Sequence, residues 1–278
     1  MVPLNETSST VRAMTIATAH SSPLRSFLKN PAIRIRFAIF VLSKNYAMKR
    51  VYDFLAALSR NNNKAWFDAH KALYLEAKEV FEDFTADLIE EVAKWDEYVS
   101  ASRPTVKQST YRIYRDLRFS RDKSPYKTHM GAFVVPGGKK SPYCGYYFHL
   151  EPPQKREYIG GNMLFAGLYQ PDPKIIASFR DEVSVNGDPF LEAVAKARGF
   201  DMGWSSLARR VPAGFENVEK EEWKDLLRLK DINLTMALDE KFLFAPNLAK
   251  RVAARLKRCR DFSFILNRCV DFALEGNL

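Results

Sequence analysis

Arg112, Arg115, Arg118, Arg121, Lys123 and Lys127 crowd the stretch from Tyr111 to His129, interleaved with aromatics and separated by only two acids, Asp116 and Asp122. Guanidinium forks and ammonium groups at this density match the oxygens of a phosphate or carboxylate. His129 closes the run, and His149 and Glu151 follow in His149-Leu150-Glu151. Imidazole and carboxylate groups beside a bound anion are the usual means of moving a proton near neutral pH. The residues therefore read as an anion site. Arg112, Arg115, Arg118, Lys123 and Lys127 hold the ligand, Tyr126 packs against it, and His129, His149, Glu151 and Asp116 transfer protons wherever a reaction follows.

Three readings compete for this constellation. In one, the cations clamp a phosphorylated or otherwise anionic small molecule and the histidines and carboxylates act on it, as in a hydrolase or transferase. In another, the same clamp is a binding module without chemistry, for a nucleotide or nucleic acid. In the last, Arg115, Asp116, Arg118, Asp122 and Glu151 neutralise one another and merely hold a loop. Charge runs are commonly solvated faces. Here six cations face few anions and aromatics interleave them, which favours a pocket. His129, His149, Glu151 and Asp116 also make a two-His, two-carboxylate set, but the surrounding cations oppose a divalent ion unless a phosphate comes with it. No metal ligand is assigned, and no cofactor is named.

Other catalytic signatures are missing. The chain has no Gly-x-x-x-x-Gly-Lys-Ser/Thr, no Gly-x-Gly-x-x-Gly and no Gly-x-Ser-x-Gly. His149-x-Glu151 matches half of the zinc-deaminase signature, but the Pro-Cys-x-x-Cys half is absent. Cys144, Cys259 and Cys269 form neither a CxxC nor an even framework, so they read as reduced thiols of a cytosolic protein. His70, between Trp66 and Tyr74, reads as a packed helix-face residue. The basic C-terminal segment with Lys250, Arg251, Arg255, Lys257, Arg258 and Arg260 reads as a solvated helix face.

The formal charge of +10 is local in origin. Residues 1–47 carry Arg12, Arg25, Lys29, Arg34, Arg36 and Lys44 against Glu6 alone, half of that excess. Positions 107–129 hold seven basic and two acidic residues. A wide nucleic-acid surface is therefore disfavoured relative to a site. With 46% hydrophobic and 13% aromatic residues the chain can bury a large core. No apolar run reaches the ~20 residues of a membrane-spanning helix.

The elements that must position the site follow from periodicity. Residues 1–47, rich in Ser, Thr and Arg, read as a leader, either a targeting segment or sequence upstream of a working start at Met48. Val51, Phe54, Leu55 and Leu58 share one helical face, which Asn61-Asn62-Asn63 ends. Asn63 then caps a long amphipathic helix carrying Trp66, Phe67, Leu73, Tyr74, Ala77, Phe81, Phe84, Leu88, Val92 and Trp95. After Pro104 the period becomes two, and Tyr111–Phe119 reads as a strand with Arg115 on its apolar face, partly buried and needing a partner. Gly131–Pro136 and Tyr143–Leu150 read as a hairpin around Gly137-Gly138, with Tyr158–Tyr169 continuing the sheet. Helices are expected from Pro171/Pro173 through Val183 and over Phe190–Ala197, Glu219–Leu227 and Ala245–Phe272, with a short strand in Leu229–Met236.

A hairpin centred between Lys139 and Lys140 pairs residues whose numbers sum to about 279, setting His129 beside Leu150. Tyr147, His149 and Glu151 then share one face and Tyr146, Phe148 and Leu150 the other. A one-residue slip would change which faces meet.

Three stretches carry a resemblance to a known family. They are Asn61-Asn62-Asn63-Lys64-Ala65-Trp66-Phe67, the run Arg112–His129 containing Arg-Asp-Leu-Arg-Phe-Ser-Arg-Asp-Lys-Ser-Pro-Tyr-Lys-Thr-His, and Gly145-Tyr146-Tyr147-Phe148-His149-Leu150-Glu151-Pro152. With Arg210-Val211-Pro212, Gly214-Phe215 and Leu226–Lys230, the chain from about Tyr52 to Cys269 resembles the domain of unknown function 2461 family. The resemblance implies a single α+β domain and supplies no substrate, cofactor or mechanism. Two departures, Asp231-Ile232-Asn233 and the insertion Gln154–Glu157, are expected to lie away from the central site. The whole reading is one α+β domain over 48–278, a central antiparallel sheet flanked by a long N-terminal helix and C-terminal helices. It is cytosolic and off the membrane, binds a small anionic ligand, and leaves open whether it is an enzyme.

Overall fold

The structure, a computed structural model, describes residues 47–276 apart from 119, 155–158, 169 and 204–206. The leader expected over 1–47 lies outside these residues except for Ala47, and so do Phe119, Tyr158 and Tyr169 of the expected strands.

The first helix, α1 (Ala47–Arg60), buries Val51, Phe54, Leu55 and Leu58 as its periodicity requires. Asn63 caps α2 (Lys64–Ala69), its Oδ1 accepting from the Trp66 N–H at 3.0 Å. The expected single long helix is two, because the backbone leaves helical geometry at His70 (φ −112°, ψ 20°) before α3 (Lys71–Ala93) begins. The His70 backbone N–H and its ring Nδ1 both converge on the Trp66 carbonyl, and the ring stacks on Trp66, so local side-chain bonding competes with helix continuation. One consequence is that Leu73, placed by period on the apolar face, is exposed. Two short helices, α4 (Glu97–Ser102) and α5 (Val106–Ser109), lead towards the basic run. The capping pair Thr105 and Gln108 starts α5.

A five-stranded antiparallel sheet follows, in the order β1-β2-β3-β5-β4. Its strands are β1 (Met130–Val134), β2 (Gly145–Leu150), β3 (Met163–Leu168), β4 (Asp201–Met202) and β5 (Ile232–Ala237). The hairpin register sums to 280, with Gly131 opposite His149 and Met130 opposite Leu150, one step from the expected pairing. One step further along, His129 falls opposite Glu151 instead of Leu150.

The pleat sorts the sheet by parity. Ala132, Phe148, Leu164 and Met236 form one cross-strand row and Val134, Tyr146, Ala166 and Leu234 the next, all buried. On this face α3 supplies Phe81 and Phe84, whose rings meet Phe148 at 6.3 and 4.7 Å. The Tyr146 hydroxyl donates to the buried Asp96 carboxylate at 2.7 Å, and that carboxylate also caps α4. The opposite row, Phe133, Tyr147, Phe165 and Thr235, floors a groove.

The later helices are α6 (Pro173–Asn186), α7 (Asp188–Lys196), α8 (Glu221–Leu227), α9 (Glu240–Leu243), α10 (Leu248–Leu256) and α11 (Arg260–Leu274). Instead of one helix over Ala245–Phe272, a 3-10 turn at Lys257–Cys259 separates α10 from α11. The buried residues Leu256, Cys259 and Phe262 step by three there, which is the 3-10 period. α11 ties down the start of β2. Asn267 Oδ1 accepts from the Cys144 N–H at 2.8 Å, and Asp271 accepts from the hydroxyls of Tyr143 and Tyr98 at 2.7 and 2.6 Å. Among the described residues no helix is long and apolar enough to cross a membrane.

Candidate functional site

Among its described residues the basic run forms no strand. Its β contacts are the isolated bridges Thr110–Ala132 and Tyr114–Tyr126, and between them the chain folds back on itself. The Arg115 N–H donates to the Pro125 carbonyl at 3.0 Å and the Lys127 N–H to the Ile113 carbonyl at 2.7 Å. Asp122 and Ser124 build a side-chain turn just before Pro125, which has no N–H for a ladder. Alternation alone suggested a strand, but turn chemistry wins here.

Arg115 has the partner its burial demanded. Its Nη1 donates to Asp122 Oδ2 at 2.6 Å and to the Ser124 carbonyl at 3.2 Å, and its Nη2 to Ser120 Oγ at 3.1 Å. Bonds from Ser124, then from Arg115, hold the Asp122 carboxyl well below the usual carboxylate range. Asp116 is gripped by Arg118 through two nitrogens at the exposed rim, which takes its pKa down to about 2. Lys123, also exposed, donates to the Leu117 carbonyl. Tyr126 is buried, its ring stacked on Phe67 at 3.9 Å.

Arg112 and Lys127 are placed differently. Neither has an ion pair or a side-chain hydrogen bond among the described residues, and both line the groove. The Lys127 ammonium lies 5.4 Å from the centre of the Tyr111 ring, and Lys139 approaches the same ring at 5.6 Å. Lys139 also donates to the Lys107 carbonyl at 2.6 Å. Burial, then Arg112, then Lys139 lower the Lys127 pKa. Lys139 escaped the sequence reading because it sits in the hairpin loop, and nothing local marks its return to the basic run.

At the end of β1 and β2 the two histidines and Glu151 meet. His149 and Glu151 are fully buried, with His149 Nε2 3.1 Å from Glu151 Oε2, and the Tyr147 hydroxyl lies 2.9 Å from His149 Nδ1. The His129 and His149 rings are 4.8 Å apart, centre to centre. Burial first, then His149, push the His129 pKa down to about 3, so its half-buried ring is neutral at pH 7. Asp116 is not among the side chains that converge here.

Two further residues complete the cluster. Gln154 Nε2 donates to Glu151 Oε1 at 2.6 Å and to Thr128 Oγ1 at 2.8 Å, while Asn162 Oδ1 accepts from the Glu151 N–H at 2.9 Å. The insertion beginning at Gln154 was expected to lie clear of the site, but its first residue touches it. Gly131 matters by what it lacks: a Cβ there would stand 2.2 Å from the Tyr147 hydroxyl. The missing side chain leaves the room through which Tyr147 reaches His149. Tyr147 was legible as a face-mate of His149 by alternation, but Gln154 and Asn162 carried no local signal.

The arrangement defines an α+β domain whose antiparallel sheet is backed by helices on one face and opens a basic groove on the other. The model of the family described as conserved hypothetical protein (DUF2461) matches residues 50–264, and the chain belongs to that family. No curated protein and no solved structure matches the chain. All three cysteines are buried free thiols, and burial pushes Cys144 and Cys269 up to about 12, which leaves them poor nucleophiles.

Proposed function

We propose that this is a cytosolic protein whose groove binds a small phosphorylated or carboxylated ligand, seated on Arg112, Lys127 and Lys139. The observation that carries the reading is Lys127. It is half-buried, stands near two other cations, and has no carboxylate partner among the described residues. Like charges held together out of water are unfavourable until an anion joins them, and charge-assisted hydrogen bonds to that anion offset the cost. The half-buried aromatic row Phe133, Tyr147 and Phe165 supports a ligand whose anionic group is carried on a flat or apolar body. Where the ligand reacts, the hydrogen-bonded His149–Glu151 pair is the group positioned to move a proton, with the neutral His129 ring beside it. Buried unpaired thiols favour a reducing compartment.

Exposed Tyr111 and Tyr114, 45% and 50% accessible beside the cations, support a second reading in which the ligand is a nucleotide or single-stranded nucleic acid stacked on them. One experiment separates the two. Thermal melting is followed with inorganic phosphate, sugar phosphates, nucleotides and short single strands, for the parent and for Arg112→Ala and Lys127→Ala. Stabilisation by a small anion at saturating concentration, lost in both variants, fits the groove. A response to the single strands alone, with a steep salt dependence, fits the second reading. No response to any of them overturns both.

A further inference from the structure

We propose that His129, His149 and Glu151 bind one divalent transition-metal ion at the end of the β1–β2 hairpin, with zinc the best fit. One ligand atom from each of the three lies within 4.8 Å of the others. Three ligands around a tetrahedral zinc stand roughly 3.4 Å apart, so the set closes with a side-chain movement on the order of 1 Å. His149 Nε2 and Glu151 Oε2, at 3.1 Å, already have that spacing. Two imidazoles and a carboxylate are the donor types such ions take.

What surrounds the ligands strengthens the assignment. Metal-binding imidazoles and carboxylates are usually oriented by a second polar group on their far side. Tyr147 is so placed on His149 Nδ1, and Gln154 on Glu151 Oε1. Gly131 and Met163, which flank His149 across the sheet, fix its strand position on both sides. His129, the half-buried ligand, lines the groove, so a free coordination position would face it. The cations nearby argue against a bare ion. One carboxylate leaves a bound dication with net positive charge, which an anion on Lys127 and Arg112 would balance. The inference therefore builds on the proposed anion seat but uses different side chains.

The full chain, stripped with a chelator, is titrated with Co²⁺ by visible absorption and with Zn²⁺ by competition against a chromophoric chelator. One ion per chain is expected, with binding lost in His129→Ala and weakened roughly 10–100-fold in Tyr147→Phe. His149 and Glu151 are fully buried and their replacement threatens the fold, so half-buried His129 carries the test, with metal-free melting curves as the control for folding. Lys127→Ala should still bind Co²⁺ while losing its response to phosphate. A parent that never saturates, or a folded His129→Ala that binds as tightly as the parent, overturns the metal site. A parent that binds metal but ignores every anion would instead overturn the groove reading alone.

Discussion

The Asn62 side chain bonds the backbone of Tyr126 in both directions, donating to its carbonyl at 2.8 Å and accepting from its N–H at 3.1 Å. The amide acts as a short piece of strand. It joins the helix-breaking Asn-Asn-Asn to the folded-back basic loop, and the Phe67–Tyr126 stack closes the same junction. Asn62→Ala leaves both backbone groups of Tyr126 without these partners and should cost about 2–4 kcal/mol, with Asn62→Asp, which keeps the acceptor, falling between. Chemical denaturation of the three proteins checks the order. Equal stability of all three would mean the contact contributes nothing.

Loop closure by Arg115 should depend on acid. Hydrogen bonds from Ser124, then from Arg115, lower the Asp122 pKa in the folded protein below the ordinary 3.8, so the carboxylate stabilises the loop fully above that value. Its contribution is lost as pH falls through the folded-state pKa. Because the pair is partly solvated, about 1 kcal/mol is expected from it. The stability gap between the parent and Asp122→Asn should be widest at neutral pH and narrow below about pH 4. A gap that does not change down to pH 2 contradicts a carboxylate held by Ser124 and Arg115.

Gly131 is expected to be intolerant although it lies in a regular strand. The Cβ of Gly131→Ala would meet the Tyr147 hydroxyl and ring at 2.2–2.6 Å, so the ring must swing off His149. A cost of about 1–3 kcal/mol is expected from overpacking. Gly131→Ala in a Tyr147→Ala background should recover most of it. If the double variant is no better off than the sum of the singles, the clash is not with Tyr147.

Anion affinity should fail early on the alkaline side. Lys127 must be protonated to hold an anion, and its pKa is lowered by burial and by Arg112 and Lys139. Binding of phosphate should weaken as pH rises through that lowered value, below the range of an ordinary lysine. Lys127→Arg, charged throughout, should move this limb upward. Calorimetric titration between pH 7 and pH 10 is the check, and an unchanged limb in the arginine variant removes Lys127 from the seat.

How much of this could be read from the chain depends on the range of the forces involved. The helical face of α1, that of α3 from Ala77 onward, the Asn63 cap and the even-odd sorting of Tyr146 to Leu150 are local properties of periodicity, and they are present as expected. The meeting of His129 with His149 and Glu151 needed only a hairpin, and a one-residue error in register did not separate them. What stayed hidden depends on tertiary contact or on competing local bonds. Arg112 and Arg115 look alike in sequence, yet only the second finds Asp122. Lys139 and Gln154 arrive at the site from loops. The break at His70 required knowing that its ring and its N–H would share one carbonyl.

The last helix has a bearing on how the chain is made. Asn267 and Asp271 fix the start of β2 from residues 123 and 128 positions further along. During synthesis the hairpin that carries His129, His149 and Glu151 is out of the ribosome long before those two side chains exist. Its strands can pair as soon as they emerge, but the hairpin must wait for α11 to be anchored. Until then its helix-facing row, with Tyr146 and Phe148, lacks part of its cover, which is the condition under which nascent chains attract chaperones or one another. A chain cut short before Asn267 should therefore fail by aggregation during production, and not by loss of the basic loop or the groove residues, all of which it would still contain.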